Sequence, residues 1–259
     1  MATGLLILSD THNESFHIDG AHNHNIDIVL HCGDMTMISA TTRKPSMRTI
    51  RQNQKRQRRC FTTPKRRHSV SLKPGVHTFT LKSGLSFSLY ASPYTPDFNG
   101  YAFPYFPHED IFNKGETRIH EQVDIVMTHG PPMPPKELSL ANYKLDVGRN
   151  GEHCGCTKLF EAVQRVRPLI HCFGHIHQGY DVQLIGWKDE DNDAIRVDDV
   201  KVEDGGVTES TTRGKETMLV NAAVSRHGQE LNKSWLVDLI WGDDGKLSGV
   251  SSVQIISIA

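Results

Sequence analysis

Six residues of this 259-residue sequence are of the types that hold metal ions: Asp10, His12, Asp34, His129, His175 and His177. His175 and His177 are two apart, and on an extended chain two such imidazoles point the same way. Two carboxylates with four imidazoles suit a borderline divalent ion (Mn, Fe, Zn or Ni) better than Ca or Mg. Six donors exceed the three or four of a single zinc site. The set is therefore read as two divalent metal ions sharing a bridging carboxylate. Taken singly, each piece has a bland reading: Asp-x-His as a cap, Gly33-Asp34 as a turn, His129 as a core histidine. Their order, each directly after an apolar run, is the signal.

Four such runs must position these groups. Gly4–Ser9 ends in Asp10-Thr11-His12, Ile26–His31 in Gly33-Asp34, Asp124–Thr128 in His129-Gly130, and Leu169–Phe173 in Gly174-His175-Ile176-His177. Short apolar runs of this kind are buried strands of a parallel or mixed sheet. Ligands at the carboxyl ends of neighbouring strands converge on the crevice where α/β proteins bind their ligands. Phe79–Leu81 and Leu85–Tyr90, separated by Lys82-Ser83-Gly84, read as a hairpin with one buried face. Ser92–Pro107, rich in Pro, Tyr and Phe, reads as a packed aromatic loop, and Pro132–Cys154 as a long polar loop. Leu159, Val163 and Val166 mark one face of a helix that ends at Pro168. Leu219–Val224, Trp235–Trp241 and Val253–Ile258 are closing strands, the last two joined by a turn at Gly242–Lys246.

Composition bounds the rest. The net charge of −1 hides an asymmetry: residues 41–75 hold twelve Lys or Arg and no Asp or Glu, leaving 17 basic residues against all 30 acidic ones elsewhere. Residues 188–216 carry ten acidic and five basic residues with little periodicity and read as a solvated acidic insertion. The longest apolar runs fall far short of the ~20 residues that span a bilayer. Met1–Thr3 leads straight into Leu5–Leu8 without a basic leader, so neither secretion nor a membrane span is expected. Five cysteines without framework spacing fit a reducing compartment, and the expected location is cytoplasmic, or nuclear if the basic segment acts as an import signal.

The motifs Ser9–His12 (SDTH), His31–Asp34 (HCGD), Met127–Pro132 (MTHGPP) and Phe173–Tyr180 (FGHIHQGY) resemble those of the calcineurin-like metallophosphoesterase superfamily. Ser92–Pro96 (SPYTP) and Arg165–Tyr180 narrow the resemblance to the metallophosphoesterase-domain-containing proteins. It spans residues 4–36 and 85–240. The resemblance implies an α/β fold, a four-layer α/β/β/α sandwich of two mixed sheets, filling residues 1–259 as one domain. It implies that Asp10, His12 and His177 hold one metal, that Asp34 bridges, that His129 and His175 hold the second, and that Asp34, His129 and His175 serve catalysis. The implied reaction is hydrolysis of a small phosphoester, of phosphodiester or nucleotide type, by a metal-activated hydroxide attacking phosphorus in line.

The sequence also departs from that pattern. The family's Gly-Asn-His-Asp/Glu motif, which completes the second metal site and supplies the leaving-group acid, is missing. Its place is taken by the basic segment 37–75. Neither Asn53 nor His68 follows an apolar run there. The segment reads as a functional basic arm, a disordered solvated loop or a gene-model error. As an arm, residues 43–67 would attract nucleic acid. The competing functional reading is a metal- and nucleotide-binding pseudoenzyme. Lesser candidates are His153 with Cys154-Gly-Cys156 as zinc ligands, His17, His22 and His24 as substrate contacts, and Asn221 at the site rim. Tyr94, Phe98 and Tyr101 are a candidate aromatic platform.

Overall fold

The computed structural model of the chain describes residues 3–12, 25–35, 70–97, 103–188, 195–202, 206–207, 210–225 and 231–257. Most of the basic segment, with Asn53 and His68, therefore lies outside the described residues, as do His17, His22, His24, Phe98 and Tyr101.

Two large mixed sheets form the frame. The first has five strands. β1 (Thr3–Leu8) lies parallel to β2 (Ile28–His31) and antiparallel to β13 (Ser234–Trp241). β14 (Leu247–Ile256) and the short β11 (Thr211–Thr212) extend the sheet beyond β13. The second has seven strands in the order β10-β9-β12-β8-β7-β4-β3. Its centre is parallel: β4 (Ser86–Ser92), β7 (Ile125–Thr128), β8 (Ile170–Phe173) and β12 (Glu216–Asn221) run side by side. β3 (Gly75–Thr80) closes one edge as the antiparallel hairpin partner of β4. β9 (Asp181–Gly186) and β10 (Arg196–Asp199) close the other.

Period-two alternation sorts the side chains between layers. Leu5 and Ile7 of β1 face a common core with Trp235 and Val237 of β13 and with Leu89, Ile125, Ile170, Cys172 and Val220 of the other sheet. Their neighbours turn outward: Leu6 and Leu8 join Val224, Leu236 and Ile256, whereas Tyr90, Val126, Phe173 and Leu219 face a second core. That second core is covered by α1 (Thr157–Val166), which buries Leu159, Phe160, Ala162 and Val163. The helix starts where Cys156 Sγ accepts the Leu159 amide. It stops where Arg167 turns left-handed (φ 50°) ahead of Pro168, its amide bonded to the Val163 carbonyl.

Two features were hidden in the pattern. β9 was not anticipated, because Asp181, Gln183 and Gly186 interrupt its apolar positions. Within the acidic stretch, Arg196–Asp199 forms an edge strand that buries Val197 against the helix-side core. The Pro132–Cys154 loop is irregular as expected, yet it buries Tyr143, Leu145 and Asp146. The aromatic loop contains a two-residue ladder, β5 (Thr95–Pro96) with β6 (Pro104–Tyr105).

Phe160 is fully buried and meets Trp187 edge-on at 5.9 Å. Truncating it leaves a cavity beneath the helix. Phe160→Ala is expected to lower unfolding free energy by about 3–5 kcal/mol, measured by urea denaturation.

Candidate metal centre

The carboxyl ends of β1, β2, β7 and β8 meet at one edge of the two sheets, and all six ligand-type residues follow those ends directly. Main-chain bonds tie the turns within each sheet, and an amide-to-carboxylate bond joins the two. The Asp10 amide donates to the Gly33 carbonyl at 2.9 Å and the His12 amide to the Asp34 carbonyl at 3.0 Å, tying the turns after β1 and β2 together. The Gly174 amide donates to the His129 carbonyl at 3.0 Å and does the same for β7 and β8. The His175 amide then donates to Asp10 Oδ2 at 2.9 Å and locks one pair of turns to the other.

Two donor groups result. In the first, one atom each from Asp10, His12 and His177 lies within 4.8 Å of the others. His12 Nε2 is 3.4 Å from His177 Nε2, and His177 Nε2 is 3.4 Å from Asp10 Oδ1. Two nitrogens on one tetrahedral ion at ~2.1 Å would stand about 3.4 Å apart, so the spacing fits a shared cation. Asp10 Oδ1 and His12 Nδ1 are buried without a hydrogen-bond partner. The carboxylate oxygen has an unmet demand of the kind a cation satisfies. The second group is Asp10, Asp34 and His129, again within 4.8 Å, with His129 Nε2 3.7 Å from Asp34 Oδ2. Asp10 is thus the carboxylate common to both groups. His175 belongs to neither, but its ring stands edge-on to that of His129 at 4.9 Å.

The hydrogen bonds around the ligands fix which ring nitrogens are available. His129 Nδ1 donates to the Cys32 carbonyl at 3.3 Å, which aims Nε2 at Asp34. Such an outer bond is how metal-ligating histidines are oriented. His31 was quoted in the HCGD motif without a role, and here it ties two turns together. Its Nδ1 accepts the Gly33 amide at 3.3 Å, so its Nε2 carries the proton shared with Thr11 Oγ1 at 3.0 Å. His171 Nε2 pairs with Thr128 Oγ1 at 2.9 Å, and that hydroxyl donates onward to the Gly130 carbonyl at 2.7 Å. Both supporting histidines extend apolar runs, so the sequence shows their burial but not their partners.

Charge is arranged to match. Burial alone would push the Asp10 carboxyl up. The His177 ring 3.4 Å away, the charges of His129 and His177 and the His175 amide prevail, holding it well below the usual carboxylate range. Asp34 is lowered too, burial being outweighed by His129. Burial opposes a proton on His129, yet Asp34 and Asp10 raise its proton affinity above the ordinary value. The pocket attracts positive charge. His175, by contrast, is lowered to about 4, chiefly by burial and by the charge of His129, and is neutral at pH 7.

Backbone conformation marks the same residues. Asp10 (φ 58°), His12 (φ 47°), Asp34 (φ 50°) and His175 (φ 69°) are all left-handed. The glycines between them make room. A methyl group at Gly174 would overlap Asp10 Oδ2 and Ser9 Oγ, and one at Gly33 would overlap the His129 ring.

The lesser candidates separate clearly. Cys156 Sγ caps α1, Cys154 Sγ faces the Glu152 carbonyl at 3.6 Å, and His153 Nδ1 pairs with Asp146 Oδ1 at 2.7 Å. These three do not converge on a metal group. Asn221 is fully buried and donates from Nδ2 to the carbonyls of Leu145 and Ile176 at 2.9 and 2.8 Å. It steadies the residue between His175 and His177 rather than lining the rim. No helix among the described residues is long and apolar enough to cross a membrane.

Comparison with known proteins agrees with the geometry. The chain is 39% identical over 101 residues to metallophosphoesterase domain-containing protein 1 of Homo sapiens, covering 39% of this chain and 28% of that protein. It is 33% identical over 101 residues to UPF0046 protein T07D4.2 of Caenorhabditis elegans, 39% of this chain and 23% of the relative. A stretch of 109 residues is 37% identical to part of probable rhamnogalacturonate lyase C of Emericella nidulans, 41% of this chain but 9% of that protein. The matches thus span less than a third of these relatives. No protein-family model matches the chain.

Gly174→Ala is expected to displace Asp10 and weaken Mn²⁺ binding by roughly 10–100-fold, the usual effect of disturbing a ligand's supports. Isothermal titration of both proteins measures it. In the unmodified protein, Mn²⁺ at about 100 times its Kd is expected to raise unfolding free energy by about 2.7 kcal/mol, seen as an upward shift in thermal midpoint.

Proposed function

We propose that this chain is a metal-dependent phosphoesterase that hydrolyses a phosphodiester or nucleotide-type substrate. The observation that carries the reading is the pair of donor groups joined at Asp10, formed by residues from four strand ends of two sheets. The metallophosphoesterase name of the human relative supports the same class.

Asp10, His12 and His177 would hold one divalent ion, and Asp34 and His129, with Asp10 and the neighbouring His175, the second. Bound there, such ions supply Lewis acidity toward a phosphoryl group and lower the pKa of a water. The protein's own groups set the stage for that chemistry. Asp10 is wholly buried and its position is fixed by the His175 amide, so it holds its charge where solvent cannot screen it. The side chain of Asp34 is 48% exposed and opens the centre to solvent on one flank, giving a phosphate group a way in. His175, neutral and beside His129, would serve as a ligand or as a hydrogen-bond partner to an equatorial phosphate oxygen. The Cys32 carbonyl and the Thr11–His31 pair keep the turns from drifting as charge builds on the substrate.

The test is Mn²⁺-dependent hydrolysis of bis-p-nitrophenyl phosphate by the full chain beside Asp34→Asn. Losing a mere supporting residue costs about 10–100-fold at metal sites, so losing a ligand is expected to lower turnover by at least ~10²-fold. Equal turnover by the variant would overturn the assignment. Folded protein that binds Mn²⁺ without turnover would identify the pseudoenzyme instead.

A further inference from the structure

We infer that Tyr94 and Phe103 form an aromatic shelf beside the metal centre that takes the nucleobase or aryl group of the substrate; the inference rests on the phosphoesterase reading above.

Phe103 is the observation that demands an explanation. Its side chain belongs to a residue that is 52% exposed, so the core does not need it. It nevertheless sits in left-handed backbone (φ 58°), where a bulky side chain is an outlier. Of the other left-handed residues that are not glycine, four are the candidate ligands, Ser139 and Arg167 end helices, and Gln122 sits in an exposed turn. Backbone strain at an exposed aromatic has no packing reason here and gathers at functional sites. The described residues on either side are tied together. Thr95 donates its amide to the Phe103 carbonyl at 3.1 Å, Asp97 donates to Tyr105 at 2.8 Å, and the buried Tyr105 ring meets Phe112 edge-on at 5.6 Å. Tyr105 does the anchoring, which leaves Phe103 presented at the surface.

Its position follows from the sheet. Ser92, the last residue of β4, pairs with Thr128, and the His129 amide donates to the Ser92 carbonyl at 3.1 Å. Tyr94 donates its amide to Ser92 Oγ at 3.4 Å. A methyl group at Gly130 would touch the Thr95 methyl at 3.5 Å. The segment Ser92–Thr95 therefore flanks His129 and Gly130 directly. Tyr94 and Phe103 stand nearly perpendicular (83°) with ring centroids 6.4 Å apart, and the half-exposed Phe103 leaves ring surface accessible to stack a flat group. A phosphoester held at the metal centre would have its organic substituent extend past this corner. Stacking on such a face tolerates any base, so the shelf selects nucleotide and aryl esters over aliphatic ones without choosing among bases.

The experiment titrates AMP and ribose 5-phosphate, which differ by the base, into the Mn²⁺-loaded full chain, its Phe103→Ala variant and its Phe103→Trp variant. The unmodified protein is expected to bind AMP more tightly than ribose 5-phosphate. Phe103→Ala should weaken AMP by about 5- to 140-fold, the range of a lost base stack, and leave ribose 5-phosphate unchanged, while Phe103→Trp restores AMP. If ribose 5-phosphate binds but AMP binds no better, or if Phe103→Ala weakens both alike, the shelf is wrong and the phosphate site stands. If neither ligand binds the unmodified protein, both the shelf and the phosphoesterase reading fall together.

Discussion

A carboxylate buried between two sheets governs this structure. Asp10 follows β1 of the five-stranded sheet, is shut off from solvent, and accepts the amide of His175, which follows β8 of the seven-stranded sheet. Burying an unpaired charge is prohibitive unless partners surround it. Here the partners come from the other sheet: the His175 amide, His177 and, at longer range, the charge of His129. The two sheets must therefore meet with their carboxyl edges aligned. The apolar core of Leu5, Ile7, Leu89, Ile125, Ile170 and Trp235 holds them face to face. Packing supplies most of the driving force for that arrangement, and Asp10 makes its alignment specific.

The same constraint explains the glycines and supporting histidines. Gly33 and Gly174 sit where any side chain would occupy the space of His129 or Asp10. His31 and His171 are neutral imidazoles, with proton affinities lowered by burial to about 4 and about 3. A neutral ring can accept from one side and donate from the other, which a charged one cannot. His31 uses both nitrogens in that way to join Gly33 to Thr11. A serine or asparagine would be too short to span both turns, and a lysine would bring a competing charge into the centre.

Much of this was legible in the sequence because strand ends carry it. Four apolar runs followed by Asp or His gave the candidate ligands and their elements, and α1 announced itself through Leu159, Val163 and Pro168. The remainder depends on contacts that no local pattern encodes. β9 alternates Asp181 and Gln183 with apolar residues, and Gln183 is buried only because its amide finds the Asn142 carbonyl and the Asp199 carboxylate. β10 lies in an acidic stretch, where composition points to solvent, yet Lys144 reaches Asp181 and Asp199 at 2.9 and 3.0 Å and offsets part of that charge. The expectation of a carboxylate shared by two metals came from donor number. Family resemblance assigned that part to Asp34, which stands in the second donor group with Asp10 and His129, and Asp10 is the residue present in both groups. The local matches to metallophosphoesterase domain-containing protein 1 and to UPF0046 protein T07D4.2 each cover only 39% of the chain, so sequence similarity alone does not fix this arrangement.

The backbone at the centre links folding to binding. Four ligand-type residues hold left-handed φ values, each costing of order 1–3 kcal/mol at most sites and less for Asp than for bulky residues. Asp10 Oδ1 adds a buried acceptor without a hydrogen bond. Neither is relieved by local rearrangement, because the turns are tied by Asp10–Gly33, His12–Asp34 and Gly174–His129 main-chain bonds. The fold thus keeps its donors in place against local preference, and the energy for doing so comes from the packed sheets beneath. A cation is the partner that answers both the unmet oxygen and the excess negative potential at once. The binding energy of such a cation would return to the fold, and stability and metal affinity would then be two readings of the same arrangement.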